Sequence, residues 1–134
     1  MKLKYTILYV ENVSTTLEFY KNAFGFSISF MHEAGDYGEL NTGETTLSFS
    51  SLKLMSELGK KPAKATLSAP VFEIAFETAN VTQCLQKAIA AGATLVQDIK
   101  EEPWGQTTSY VSDINGFLIE ICSPVTTQAS SAVP

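Results

Sequence analysis

The feature that most constrains the fold of this chain is an internal repeat. The stretch Tyr5–Val13 aligns with the stretch Glu73–Val81 at a constant offset of 68 residues (73 minus 5, and 81 minus 13). Both copies have the composition of a strand that runs into a helix at an Asn-Val pair. A repeat of this size, in which strands outnumber helices, predicts two similar modules related by pseudo-twofold symmetry.

The first half of the chain predicts one strand, one helix and three further strands. Ser14 or Thr15 is the predicted helix cap, because Thr15 and Glu18 have the spacing of a capping box. Gly25 is the predicted left-handed stop of the same helix. The alternation over residues 26–32 predicts a half-buried strand that places Phe26, Ile28 and Phe30 on one face. The predicted strands of this half span residues 3–10, 26–32, 37–41 and 44–51.

The second half repeats that order after a Gly- and Lys-containing segment, residues 53–69, which we interpret as a connecting loop with a helical turn, acting as a linker or a flap. Its helix should run over residues 81–91 and end at Gly92. Its strands should span residues 71–77, 94–100, 106–112 and 117–122. The predicted fold class is α+β, with two β-α-β-β-β modules whose curled mixed sheets surround a central cavity. The module bounds are about 1–52 and 70–124, and residues 125–134 are the predicted disordered tail.

Composition restricts the partners of such a fold. The chain has 134 residues, the length of one domain, and a formal net charge of −5. No clustered basic face is apparent, so a nucleic-acid partner is not expected. No apolar run reaches the length of a membrane span or of a signal peptide, so we expect a cytoplasmic protein with no membrane partner. Cys84 and Cys122 stand outside any metal-ligand or disulfide pattern and are interpreted as reduced, buried residues.

Two stretches carry a resemblance to a known superfamily. Residues 7–26 read ILYVENVSTTLEFYKNAFGF, and residues 102–124 read EPWGQTTSYVSDINGFLIEICSP. Their order and spacing within a duplicated β-α-β-β-β unit resemble the vicinal oxygen chelate superfamily of glyoxalases, bleomycin resistance proteins and dioxygenases. The resemblance covers residues 3–123 and implies a small-molecule pocket and a homodimer.

The resemblance also implies where a metal would bind in this chain. Metal-binding members present four ligands from the first and last strands of each module, and the matching positions here are Tyr5, Ser48, Glu73 and Glu120. The family pattern is His or Gln, Glu, His and Glu, so three of the four positions depart from it. We therefore assign no metal ligand and expect no cofactor, although a weak Mg²⁺- or Ca²⁺-like site stays open. The lone His32 is interpreted as a surface residue.

The remaining pocket residues still predict a binding site. We expect a ligand to contact Tyr5, Ser48, Glu73, Trp104, Tyr110 and Glu120. Glu73 and Glu120 are also the candidate catalytic residues, because a shared proton would raise one pKa and create a general base. Alternatively, a cationic ligand neutralises them, one Glu hydrogen-bonds to Tyr5, or Glu120 faces solvent.

Three functions follow from these possibilities. The first is a small-molecule-binding protein without a transition metal, which sequesters a cationic or aromatic compound. The second is a lyase, isomerase or dioxygenase whose divalent metal is held by an altered ligand set that includes Glu120. The third is a scaffold with a structural or partner role. The sequence leaves open whether the protein is an enzyme.

Overall fold

A computed structural model describes residues 1–126 of the chain. The chain forms two compact units, residues 1–66 and residues 67 onward. The helices and strands follow in the order β1 (Tyr5–Val10), α1 (Val13–Phe24), β2 (Ser27–Met31), β3 (Tyr37–Asn41), β4 (Thr46–Ser51), α2 (Leu52–Glu57), β5 (Glu73–Glu77), α3 (Val81–Ala90), β6 (Thr94–Glu102), β7 (Gln106–Ser112) and β8 (Leu118–Cys122).

The first unit is a four-stranded mixed sheet with one main helix. The strand order is β1-β4-β3-β2, in which β1 is parallel to β4 and the other neighbours are antiparallel. The core between α1 and the sheet is aromatic, since the rings of Tyr20 and Phe49 lie 5.0 Å apart and are both fully buried. Helix α1 approaches β3 closely at Gly38, where an added Cβ would lie 2.5 Å from Leu17 Cδ1.

The second unit has the same architecture with a smaller, aliphatic core. Its strand order is β5-β8-β7-β6, and again the first pair is parallel and the others are antiparallel. Leu85 of α3 is buried, as are Val111, Ile119 and Ile121 of the sheet. The prediction of an α+β fold made of two similar β-α-β-β-β modules with mixed sheets is confirmed.

The Asn-Val pairs of the repeat mark the two main helix starts. The Asn12 side chain accepts a hydrogen bond from the Thr15 backbone N–H at 3.0 Å, and the Asn80 side chain accepts one from the Gln83 N–H at 3.0 Å. Asparagine is among the best residues for satisfying a free N–H at a helix start. The prediction of Ser14 or Thr15 as the cap was therefore wrong, and the helix begins two or three residues earlier than predicted, at Val13.

Strand β2 departs from the predicted alternation. Ile28 pairs with Leu40, whereas Phe30 pairs with Glu39, so the register shifts between Ile28 and Phe30. Because neighbouring residues of β3 point to opposite faces, Phe30 lies on the face opposite Ile28 and is 47% exposed. The prediction of a single face shared by Ile28 and Phe30 was wrong, since a bulge reverses the alternation.

The predicted connecting segment is partly structured. Ser51 caps the short helix α2 by accepting from the Leu54 N–H at 3.0 Å, and Met55 is buried. The first compact unit continues through Thr66, so α2 belongs to it. Gly25 caps the end of helix α1 and has the predicted left-handed conformation. Helix α3 ends at Ala90, and Gly92, two residues later, has the positive φ.

Three further expectations concern the chain as a whole. Among residues 1–126, no helix combines the length and apolar character that a membrane crossing requires. Both cysteines are free thiols, but Cys84 is only partly buried whereas Cys122 is buried. The predicted disordered tail lies, from residue 127 onward, outside the described residues.

Candidate functional site

Each sheet has one face covered by its own helix and one face, here called the helix-free face, that this helix does not cover. On the first sheet, strand alternation and register place Tyr5 and Ser48 on the helix-free face, because Ser48 pairs with Ile7, two residues after Tyr5. Tyr5 is 47% exposed, whereas Ser48 is fully buried. The Ser48 hydroxyl lies 3.5 Å from the Thr6 carbonyl oxygen, to which it donates.

A tyrosine–glutamate pair occupies the same face beside Ser48. The Tyr37 hydroxyl donates to Glu39 Oε2 at 2.7 Å, and Glu39 pairs with Ser48 across the strands. Burial raises the pKa of Tyr37, the Ser48 hydrogen bond lowers it, and the Glu39 carboxylate raises it again. Tyr37 is therefore a neutral phenol that holds the Glu39 carboxylate.

The second sheet carries the most buried carboxyl group of the candidate site. Glu120 of β8 pairs with Tyr110 of β7 and with Ala75 of β5, and its side chain is 4% exposed. The Tyr110 hydroxyl donates to Glu120 Oε2 at 2.9 Å. The alternative in which Glu120 faces solvent is therefore wrong. Glu120 accepts this hydrogen bond from Tyr110 of its own sheet rather than from Tyr5.

The electrostatics of this pair follow from burial and from neighbouring negative charge. Burial raises the pKa of Glu120, the Tyr110 hydrogen bond lowers it, and the charges of Glu73 and Glu102 raise it further. Burial also raises the pKa of Tyr110 far above its ordinary value, with the hydrogen bond to Glu120 as the next cause. Tyr110 is consequently a neutral donor, and Glu120 carries its negative charge at an energetic cost.

Acidic side chains dominate the helix-free face of the second sheet. By alternation and register, it holds Glu73 and Glu77 of β5, Glu120 of β8 and Glu102 of β6. Glu102 accepts from the Thr108 hydroxyl at 2.8 Å and lies 3.4 Å from the Lys100 ammonium. Four carboxyl groups therefore share this face with the cation of Lys100.

A carboxamide completes the row of side chains that runs across this sheet. Gln97 of β6 pairs with Tyr110, which pairs in turn with Glu120. The Gln97 Nε2 atom is buried and has no hydrogen-bond partner among the described residues. The row thus contains a phenol, a carboxyl group and an amide donor.

Trp104 lies in the turn between β6 and β7, two residues before β7 begins. Its indole N–H donates to Gln106 Oε1 at 2.6 Å, and the Gln106 amide donates to the Ser123 carbonyl at 3.0 Å. The ring is partly exposed at one end of the second sheet. Its predicted contact with a ligand stays a prediction.

The chemistry of the side chains at the four positions that the resemblance implies for metal ligands determines which metal could bind there. Zn²⁺ and Fe²⁺ are held in proteins mainly by imidazole, thiolate and carboxylate groups. Here a phenol, a hydroxyl and two carboxyl groups stand at those positions, and Glu120 already accepts from Tyr110. Among residues 1–126, no group of three or more His, Cys, Asp and Glu side chains is arranged to hold a metal ion. The donor set does not fit a transition metal. His32 is exposed and lies 3.3 Å from Asp36 at the β2–β3 turn.

Comparison with known proteins defines the family. The model of the glyoxalase-like domain matches residues 3–126, and the chain belongs to that family. No curated protein matches the chain significantly. The match to the glyoxalase-like domain confirms the predicted resemblance to the glyoxalase/bleomycin resistance protein/dioxygenase superfamily.

Solved structures share this fold at low sequence identity. A glyoxalase/bleomycin resistance protein/dioxygenase family enzyme from Burkholderia phytofirmans PsJN has a TM-score of 0.82 and 21% identity, over 94% of this chain and 100% of that one. A glyoxalase-related enzyme from Fulvimarina pelagi has a TM-score of 0.79 and 18% identity, over 92% and 88% of the two chains. A glyoxalase/bleomycin resistance protein/dioxygenase from Nocardioides has a TM-score of 0.77 and 14% identity, over 100% and 90%.

The structure brings the predicted site residues together within each sheet. Tyr5 and Ser48 share the helix-free face of the first, and Glu73, Tyr110 and Glu120 share that of the second. Sequence reasoning missed Gln97 and Glu102, because the register of β6 shifts twice between Leu95 and Lys100 and simple alternation fails there. Strand pairing was the information needed to find them.

Proposed function

We propose that this protein binds a cationic small molecule, with an aromatic part, on the helix-free face of its second sheet and without a transition metal. The observation that supports this proposal is the presence of four carboxyl groups on one face, with Lys100 as the cation paired there. Carboxylates brought together with little positive charge repel each other, and a bound cation relieves that repulsion.

The arrangement of the carboxyl groups suggests a division of roles. Glu73 is exposed at the start of β5 and supplies a charge that a ligand can reach, whereas Glu120 is buried behind the Tyr110 hydroxyl. Tyr110 also offers a ring face, and aromatic faces attract cations within about 6 Å. Glu73 and Tyr110 therefore contact the ligand directly, while Glu120 maintains the negative potential and holds the phenol in place.

The test is thermal unfolding in the presence of matched aromatic probes. Benzyltrimethylammonium should raise the melting temperature, whereas benzyl alcohol and benzoate should not. Glu73→Gln should weaken binding of the cation about tenfold, which corresponds to about 1.4 kcal/mol. Trp104→Ala should weaken it as well, because it removes an aromatic face that attracts the cation.

The matched control is Glu101→Gln. This substitution removes the same negative charge, but from the opposite face of β6. There the Glu101 carboxylate accepts a hydrogen bond from the Thr107 hydroxyl at 2.8 Å. The proposal is wrong if benzoate stabilises the protein as well as the cation does. It is also wrong if the Glu73 and Glu101 variants lose affinity equally.

The enzyme alternative makes a different prediction, because it needs a divalent metal on an altered ligand set. Elemental analysis of protein purified without chelator separates the two functions. A stoichiometric transition metal would contradict our proposal and favour the lyase, isomerase or dioxygenase. The homodimer is also a proposal, which sedimentation velocity tests.

A further inference from the structure

The fold itself does not explain why the Gln97 amide nitrogen is buried without a hydrogen-bond partner among the described residues. Buried donors in native proteins are nearly always paired, because leaving one unpaired costs the full desolvation of the group. A donor kept in this state in the free protein indicates a partner that the free protein lacks.

The position of Gln97 connects it with the proposed ligand. It pairs with Tyr110 across β6 and β7, and directly opposite residues of an antiparallel pair point to the same face. Register shifts flank it on both sides, between Leu95 and Gln97 and between Gln97 and Lys100. Bulges of this kind redirect side chains and are common beside functional sites.

The chemistry of the group determines what it would bind. An amide N–H donates and has no affinity for a cation, so it cannot serve the positive part of the ligand. We infer that Gln97 is a specificity-determining residue, whose amide donates to an uncharged acceptor such as a carbonyl oxygen, so that the preferred ligand class is an aromatic ammonium compound that also carries a carbonyl. This inference depends on the proposed function, since it assigns a second recognition element to the same face.

The test uses two probes that differ in one group. Phenacyltrimethylammonium has a carbonyl where phenethyltrimethylammonium has a methylene, and both carry the same charge and ring. The wild-type protein should bind the phenacyl compound about threefold to tenfold more tightly, as expected for one hydrogen bond. Gln97→Met, which keeps the length of the side chain but has no donor, should bind both probes equally.

A second measurement separates a ligand-binding amide from a structural one. Gln97→Met should unfold at the same temperature as the wild type or higher, because it removes an unpaired buried donor. Gln86→Met, at an exposed position of α3, is the matched control and should keep the preference for the phenacyl compound. A clear fall in the melting temperature of Gln97→Met would overturn the inference, because it would show that the amide has a partner in the free protein.

The outcomes distinguish the inference from the function on which it depends. If the wild type binds neither probe, the proposed function is wrong. If the wild type binds both probes equally, or if Gln97→Met retains the preference, the function stands and the role of Gln97 is wrong.

Discussion

The two units of this protein are most alike where their helices begin and least alike on their helix-free faces. Asn12 and Asn80 cap α1 and α3 with the same bond, at the same 3.0 Å distance. Val13 and Val81 follow at both starts and are buried. The repeated sequence therefore specifies the step from strand to helix in both units.

The helix-free faces carry different chemistry on the same frame. The first sheet presents aromatic and hydroxyl groups, with Phe30 and Tyr37 rings 6.3 Å apart and Glu39 held by Tyr37. The second presents Glu73, Glu102 and Glu120 around Tyr110. The two units therefore share one backbone frame, whereas the residues that point away from the helix differ in chemistry. The proposed binding of a cation at the second face depends on this difference in charge.

The largest expected effect concerns the cores beneath those faces. Phe49 and Ile121 follow Ser48 and Glu120 on the last strand of each unit, and both are fully buried. Phe49→Ala should lower the free energy of unfolding by about 3–5 kcal/mol, because it leaves a cavity against Tyr20. Ile121→Ala should cost less, about 2–4 kcal/mol, as fewer atoms are removed. Urea unfolding measures both, and a larger loss at Ile121 would show that the aliphatic core is the more tightly packed.

The second effect tests the similarity of the two helix starts. Asn12→Ala and Asn80→Ala should each lower the free energy of unfolding by about 1 kcal/mol, since each leaves a helix N–H unpaired. Ser14→Ala, at one of the two positions predicted as the cap from the sequence, should change it by less than about 0.5 kcal/mol. Unequal losses at the two asparagines would break the similarity, and a large loss at Ser14 would contradict the observed cap.

The smallest expected effect concerns the pH dependence that the acidic face gives the second unit. The pKa of Glu120 is raised in the folded protein above its ordinary value of 4.5, so folding favours the protonated carboxyl. Stability from this group is fully present below pH 4.5 and decreases as the pH rises through the folded pKa. Glu120→Gln cannot titrate, so its melting temperature relative to the wild type should increase as the pH is raised from 4 to 8.

Tyr110→Phe provides the control for that titration. It removes the hydrogen bond that lowers the pKa of Glu120, so stability should fall more steeply with rising pH than in the wild type. Parallel profiles for wild type and Glu120→Gln would mean that the carboxyl is no harder to ionise in the folded state than in the unfolded state.

Most predictions from sequence succeeded where the pattern is local, although the cap of α1 was placed wrongly, and others failed where strands had to be paired. The order of strands and helices followed from periodicity, and Tyr110 and Glu120 were both named as site residues. The Tyr110–Glu120 hydrogen bond and the place of Gln97 required the register of β6, β7 and β8. The reversal at Phe30 was missed because a bulge adds a residue without changing composition. The cytoplasmic location, the homodimer and the lack of a cofactor stay predictions.

The duplicated α+β architecture and the family could be predicted from the sequence alone, because a repeat of apolar periods and turn residues is a local property that each copy carries independently. The sequence also determined that three of the four metal-ligand positions depart from the family pattern, since side-chain chemistry is read directly from residue type. The folded structure was needed to show which carboxyl groups share a face and which one is buried. Burial and charge proximity depend on which strands become neighbours, so the raised pKa of Glu120 and the unpaired amide of Gln97 exist only once the chain has folded.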